Sequence, residues 1–446
     1  MSEPAAQSPG AAGEGGALYR LLARVVDLRP RELPALLWSW LYIFSVLSSY
    51  YVMRPIRDQM GVAGGVKNLQ WLFMGTLVVM LLLNVPFGAL VKKLPRSRFI
   101  PITYRFFAAS LLLFGAAFHL AGEGAIVWLG RAFFVWISVF NLFVVSVFWA
   151  LIVDTFNSED GKRLFGFIAA GATIGAITGS AVTATLAKHI PLGVLLLIAA
   201  VLLEAAVFCV RRLSRLSAAL NRRRGEGPAD APIGGSVLAG ITHTFRSGYF
   251  ANIVLFMLFF AVTSTFIYFQ QADIVSRAFT GRGEQTAFFA RIDLAVNIAT
   301  LVIELFFTAR IMRWLGVGAT LALLPAITML AFGALALLPT VAALMAVQVV
   351  RRSSDYAIAR PTREVLYTVA AREDRYKTKN FIDTVVYRTG DQLGAWAYVL
   401  LGGIGLGIPQ IAAIGALLAV AWLINGLWLG RRQELLEKQQ DGALTP

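Results

Sequence analysis

Residues 341–360 read Val-Ala-Ala-Leu-Met-Ala-Val-Gln-Val-Val-Arg-Arg-Ser-Ser-Asp-Tyr-Ala-Ile-Ala-Arg. The first ten suit a helix in hydrocarbon. The next five bring two adjacent guanidiniums and a carboxylate. If a span starts near Val341, Arg351 lies ten residues in, about 15 Å by helical rise and so near the middle of a roughly 30 Å hydrocarbon core. An arginine at that depth costs roughly 2.5–3.5 kcal/mol on insertion scales. A fold keeps such a residue where it faces a polar cavity inside a bundle, and that reading organises the rest of the chain.

Of the 446 residues, 58% are hydrophobic and 15% charged, against about 25% charged in a soluble domain. The bilayer is the solvent that suits this composition. The net charge of +15 sits largely in short connectors between apolar runs, so it reads as an orientation signal rather than a nucleic-acid surface. Twelve runs reach membrane-spanning length: 34–56, 69–91, 99–121, 125–152, 164–187, 191–211, 249–271, 285–309, 316–338, 341–363, 380–401 and 408–429.

The connectors alternate. One set carries Lys92, Lys93, Arg96 and Arg98, then Lys162 and Arg163, Arg211 to Arg224, Arg310 and Arg313, Arg372 to Lys379, and Arg431 with Arg432. The other set is short, 121–124, 188–191, 339–340 and 405–409, while the first and seventh spans exit through more charged connectors that weaken the signal there without reversing it. The positive-inside rule places the first set, and with it both termini, in the cytoplasm of a bacterial inner membrane. Residues 1–32 read as a disordered tail and a basic cytoplasmic segment, without the pattern of a secretory signal. The expected division is a six-helix half over 33–211, a linker over 212–248, a second half over 249–430 and a tail over 431–446. A lone cysteine, Cys209, excludes an internal disulfide and reads as packing. The three histidines show no metal spacing, and no metal or other cofactor is expected.

A short repeat supports the two halves. Gly171-Ala-Thr-Ile-Gly175-Ala176 lies in the fifth span and Gly390-Asp-Gln-Leu-Gly394-Ala395 in the eleventh, each after an acidic-basic connector. Small residues four apart allow close helix approach. Six-plus-six repeats are the layout of major facilitator transporters. The fold class expected is therefore an all-α membrane protein, a bundle of about twelve transmembrane helices of the major facilitator type.

Candidate site residues follow from charge at depth. The first span carries Arg54, Arg57 and Asp58; Arg54 and Asp58 have the spacing of a helical pair, and Pro55 would bend or end the helix. The eighth span carries Arg291 and Asp293. The tenth carries Arg351, Arg352 and Asp355, and the eleventh Asp383, Tyr387, Arg388 and Asp391, with Arg388 and Asp391 three apart. Arg54, Arg57, Arg291, Arg351, Arg352, Tyr387 and Arg388 are the candidate substrate contacts, because a guanidinium fork matches carboxylate or phosphate. Asp58, Asp293, Asp355 and Asp391 would orient them or carry coupling protons. The third, ninth and twelfth spans are nearly uncharged in their middles, as outer helices should be. The sixth breaks that pattern with Glu204, to which no role is assigned.

The chain shows no phosphate-cradling loop and no nucleophile–base–acid constellation, so it is not read as an enzyme. Transport driven by a gradient or by exchange is the expectation.

Several segments resemble the nucleotide transporter family, the ATP/ADP exchange carriers of bacteria and plastids within the major facilitator superfamily. They are Tyr51-Val-Met-Arg54-Pro-Ile-Arg57-Asp58, Phe148-Trp149 through Asp154, Gly161-Lys162-Arg163-Leu164-Phe165-Gly166, and Arg372–Asn380 leading to Tyr387-Arg388. The resemblance implies twelve helices, a central site and nucleotide exchange through basic residues. The chain departs from the pattern in lacking a lysine-rich site. The expected partners are the lipid bilayer and a small anionic solute, a nucleotide if the resemblance extends that far, with no nucleic acid and a monomeric state. The rivals are a proton-coupled carrier of another organic solute and a non-transporting membrane protein, scaffold or intramembrane enzyme.

Overall fold

The computed structural model describes residues 17–22, 27–93, 96–156, 158–224, 247–369, 378–379 and 381–444. The expected tail over 1–16, the linker residues 225–246 and the basic run Arg372 to Lys377 lie outside the described residues. Among the described residues, twelve long helices alternate in direction. The first six are α1 (Leu33–Ala63), α2 (Leu69–Lys93), α3 (Arg96–Leu120), α4 (Glu123–Thr155), α5 (Ser158–Leu186) and α6 (Leu192–Arg224). The second six begin with α7 (Gly248–Ala278), α8 (Arg282–Phe306) and α9 (Thr308–Leu337). In α10, Val341–Ser354 continues through a π-helical turn, Asp355–Ala359, into Arg360–Leu366. In α11, a π-helical turn, Ile382–Val386, runs into Tyr387–Gly403. The last is α12 (Ile408–Leu444). Residues 212–224, the first part of the expected linker, are helical and continue α6.

Ten of these helices are long and apolar enough to cross a membrane on those grounds alone. The other two are α10 and α11, whose charges and π-helical turns interrupt their apolar runs. The start of α1 and the end of α12 lie at one end of the bundle, called here the near end; the opposite one is the far end.

The two halves repeat one packing scheme. In the first, α1 packs on α5 and α6, and α3 on α6. In the second, α7 packs on α11 and α12, and α9 on α12. The glycines of the sequence repeat explain the first of these contacts. A Cβ on Gly175 would sit 2.5 Å from the Phe44 carbonyl oxygen of α1, and Gly179 is tighter still against Ser48. In the second half, a Cβ on Gly390 would sit 2.6 Å from Cβ of Ala261, and one on Gly394 2.9 Å from Cβ of Thr265, both on α7. Ser48 and Thr183 hydroxyls then bridge the α1–α5 seam to carbonyls of Gly175 and Val52, at 3.1 and 3.2 Å. Side chains larger than glycine would separate these backbones and end both bonds.

Pro55 neither bends α1 to an end nor stops it; the helix runs on to Ala63. In α9 the chain kinks at Gly316, whose positive φ of 71° only glycine adopts readily. Cys209 is buried, consistent with packing.

The apolar core is divided in an informative way. One cluster fills the first half. A second joins the halves at the far end, with Val62, Leu69, Leu72 and Phe134 packed among Phe266, Phe269 and Phe289. A third fills the near end of the second half, around Phe256, Phe260 and Trp422.

Candidate functional site

Between the halves lies a cavity of about 230 Å³ lined by residues of α1, α2, α4, α7, α10 and α11. Six arginines face it: Arg54, Arg57, Arg351, Arg352, Arg360 and Arg388. Asp58, Asp355 and Asp391 face it as well. Asp293 of α8 stands behind, taking ion pairs from Arg54 at 3.4 Å and Arg352 at 2.7 Å. Six guanidiniums thus meet four carboxylates among the described residues, and two positive charges remain.

The pairing differs from what spacing along single helices suggested. Arg54 does not pair with Asp58 but crosses to Asp293 in the other half. Asp58 pairs with its neighbour Arg57 at 2.7 Å and accepts from the Tyr268 hydroxyl at 3.1 Å. Asp355 does not serve Arg351 or Arg352; it pairs with Arg360 at 3.2 Å, one π-helical turn away. Arg388 and Asp391 do pair, at 3.5 Å, and Thr265 donates to Asp391 at 3.4 Å. The physical reason is that helix crossing sets which charges meet, and crossing is not encoded in spacing along one helix.

Arg351 is the exception in this network. It is 5% exposed, and no described carboxylate lies within ion-pairing distance. Its guanidinium donates to the Ser264 hydroxyl, while its Nε is buried with no hydrogen-bond partner. One carboxylate oxygen each of Asp293 and Asp355, and Nε of Arg54, are likewise buried and unpartnered. A buried unpaired charge is costly. Polar groups held so are ready to bind a solute or water.

Local structure explains how α10 presents these groups. Arg352, Tyr356 and Arg360 fall four apart and form one stripe, with the guanidiniums 6.0 and 4.3 Å from the Tyr356 ring centroid. The π-helical turn shifts register between them, and its carbonyl at Ala357 accepts from the Thr308 hydroxyl of α9 at 2.8 Å. Such turns recur at functional sites.

Tyr387 and Arg388 also line the cavity. Arg291 does not. It is exposed, on the face of α8 that carries Ile298, Val302 and Leu305 toward the bilayer, opposite Asp293. Asp383 is exposed as well, within the π-helical turn of α11. Glu204 pairs with Arg105 of α3 at 3.1 Å on the outside of the bundle.

Several cavity residues were not singled out from sequence: Ser264, Tyr268 and Gln271 of α7, Tyr356 and Arg360 of α10, and Gln348, which donates to Gln271 at 2.5 Å. Ser264, Tyr268 and Gln271 recur at positions i, i+4 and i+7 of an apolar helix. That polar stripe was a readable signal.

The hydrogen bonds and ion pairs that join the halves gather in the far part of the bundle. Besides the Arg54–Asp293 and Tyr268–Asp58 contacts, Gln59 donates to Gln285 at 3.3 Å, and the Trp71 and Trp396 rings meet edge to face at 5.0 Å. The beginning of α8 reaches α5 where Gly283 meets the Ala187 carbonyl. At the near end the described ion pairs stay within one half. Arg163 bridges Glu32 and Asp160 at 3.1 and 2.5 Å, and Lys379 meets Glu364 at 2.6 Å.

No family model matches the chain, and no curated protein matches its sequence. Among solved structures, it is similar to a bacterial homologue of the iron transporter ferroportin in an inward-facing state, with a TM-score of 0.62, 12% identity, and coverage of 90% of this chain and 98% of that one. It is similar to the nucleoside transporter NupG, with a TM-score of 0.60, 14% identity, and coverage of 90% and 98%. It is also similar to the peptide transporter POT in complex with sulfate, with a TM-score of 0.56, 14% identity, and coverage of 90% and 95%. The architecture is an all-α membrane fold of the major facilitator type.

Proposed function

We propose that the protein is a secondary active transporter that carries a small organic anion by alternating access, from an integral position in a bacterial inner membrane with both termini cytoplasmic. The reading rests on one observation: Arg351, buried at mid-depth and without a carboxylate partner, faces a cavity between two pseudo-symmetric halves. A structural charge in that position would be paired. An unpaired one, beside an excess of guanidiniums, is suited to a ligand carboxylate or phosphate.

The far-end contacts support a conformation closed on that side, and transport would proceed by breaking them while the near end closes. Arg54, Arg352 and Asp293 then act together as a gate across α1, α10 and α8. Arg351, Ser264 and Arg388 contact the solute. Nucleotide exchange is the finer reading that the family resemblance implies. The cavity of about 230 Å³ lies below the roughly 300–1,000 Å³ usual for drug-sized ligands. This conformation thus favours a compact anion, or the anionic end of a larger one.

The test is a thermal-shift panel on the purified protein with phosphate, small di- and tricarboxylates, nucleoside mono-, di- and triphosphates, and neutral nucleosides. A ligand stabilises by mass action in proportion to occupancy. At least one anion should raise the melting temperature of the native protein and leave Arg351→Gln unmoved. The same anion should exchange across proteoliposome membranes. Equal responses in native protein and Arg351→Gln, or a response confined to neutral solutes, would overturn the reading.

A further inference from the structure

A cavity larger than the central one lies elsewhere among the described residues. A groove of about 1260 Å³ lies on the bilayer side of the first half, walled by α2, α3 and α4. It exists because α2 packs on α4 and, across the halves, on α11, but scarcely touches α3. At Gly75 the α2 backbone comes close to Val135 of α4. Along the other wall, Phe106, Phe107, Phe114 and Trp136 present aromatic rings. On α2 the groove reaches from Trp71 to Pro86, fifteen residues or about 22 Å of helical rise. That exceeds the depth of one leaflet's hydrocarbon, about 15 Å.

The far end of the groove differs from the rest. Arg131 lies there, eight residues into α4, with Trp128, Trp71 and Asn68 around it. Its guanidinium stacks on the Trp128 ring, 4.5 Å from the centroid, and reaches the Gly64 carbonyl at 3.4 Å. Its Nε is buried without a partner, and no described carboxylate pairs with it. Tryptophans mark headgroup depth in membrane proteins. The combination is an apolar channel of acyl-chain length ending in an unpaired cation at the interface.

We propose that this groove is a binding site for one anionic glycerophospholipid, with an acyl chain along α2 and α3 and the phosphate on Arg131. The occupant is argued from place and charge together. A groove open to the bilayer is filled by lipid, and an unpaired guanidinium at headgroup depth selects an anionic headgroup over a zwitterionic one.

The experiment is native mass spectrometry of the full-length protein released from nanodiscs holding equal amounts of phosphatidylglycerol and phosphatidylethanolamine with identical chains. One basic residue near a membrane surface is worth about 1 kcal/mol toward anionic lipid. The native protein should therefore retain phosphatidylglycerol roughly fivefold over phosphatidylethanolamine. Arg131→Gln should bring the ratio to parity. Ala132→Trp, which narrows the groove, should reduce retention of both lipids. Parity in the native protein overturns the proposal whatever the variants do. So does a preference that survives Arg131→Gln, or a dimer that forms without bound lipid and hides the groove.

Discussion

Helices α4 and α5 of the first half and α10 and α11 of the second hold equivalent places in the six-plus-six order and share a close glycine contact, Gly175 and Gly179 on α5 and Gly390 and Gly394 on α11, yet they carry charge very differently. Described α4 is apolar through its middle, and α5 carries the glycine series that lets it lie against α1. The second pair is charged at depth and locally π-helical, and neither member is apolar enough to be recognised as a membrane helix by composition. The contrast shows how a duplicated fold divides its labour. One half spends its sequence on close packing and contributes Arg54 and Arg57 from α1. The other bears the expense of buried charge and supplies most of the cavity's polar groups.

The sharpest way to break this comparison is at the packed seam. Gly179→Leu places a branched side chain where the Ser48 backbone already stands. Overpacking costs about 1–3 kcal/mol where a core can yield, and backbone yields least. We expect no monodisperse protein in detergent, read by size-exclusion chromatography. A well-folded Gly179→Leu protein would mean that the α1–α5 contact is not the rigid side of the contrast.

The next effect lies in the charged half. Asp293 neutralises two arginines from different helices. Asp293→Ala leaves both partly buried guanidiniums without their carboxylate, and breaking a buried pair this way typically costs up to about 3–5 kcal/mol. The melting temperature should fall sharply, and adding Arg352→Gln should restore part of it. A tolerated Asp293→Ala would show the network to be well hydrated rather than enclosed.

These outcomes bear on what a sequence can disclose. The twelve helices were readable because twenty apolar residues in a row have few other uses. The seam was readable because glycines four apart share a face. Of the ion pairs, Arg388 with Asp391 was readable from its spacing, and those that cross between helices were not. Asp58 is one turn from Arg54, yet its partners are Arg57 and Tyr268, because the rotation and crossing of α1 against α7 and α8 decide who meets whom. Arg291 has the right depth and the wrong face: seven residues before Ile298, it shares that residue's exposed side. Helical periodicity alone would have separated it from Asp293, two positions on. The π-helical turns of α10 and α11 left no trace in spacing.

A smaller effect tests the apolar half from outside. Arg105 and Glu204 form a two-bond pair on α3 and α6, each side chain 48% exposed and facing the bilayer. Arg105→Leu leaves Glu204 without its partner against lipid, at a cost of up to about 2.5–3.5 kcal/mol on insertion scales. Arg105→Leu with Glu204→Leu removes both charges and should return near the native melting temperature. A double variant as unstable as the single one would show that the pair holds α3 to α6, and is not merely a mutual neutralisation in lipid.

The smallest effect on stability should have the reverse sign. Arg351 bears desolvation without an ion pair to offset it, so replacing it with an apolar chain of similar length removes a cost rather than a support. Arg351→Met should leave the melting temperature unchanged or raise it by a few degrees, while anion exchange in proteoliposomes falls by about 100-fold, the loss expected when a charge-assisted contact of about 1.5–3 kcal/mol is removed together with the orientation it gives the solute. A residue kept against stability is kept for function. If Arg351→Met instead melted as low as Asp293→Ala, Arg351 would belong to the structural network, and the division of labour between the halves would need another carrier.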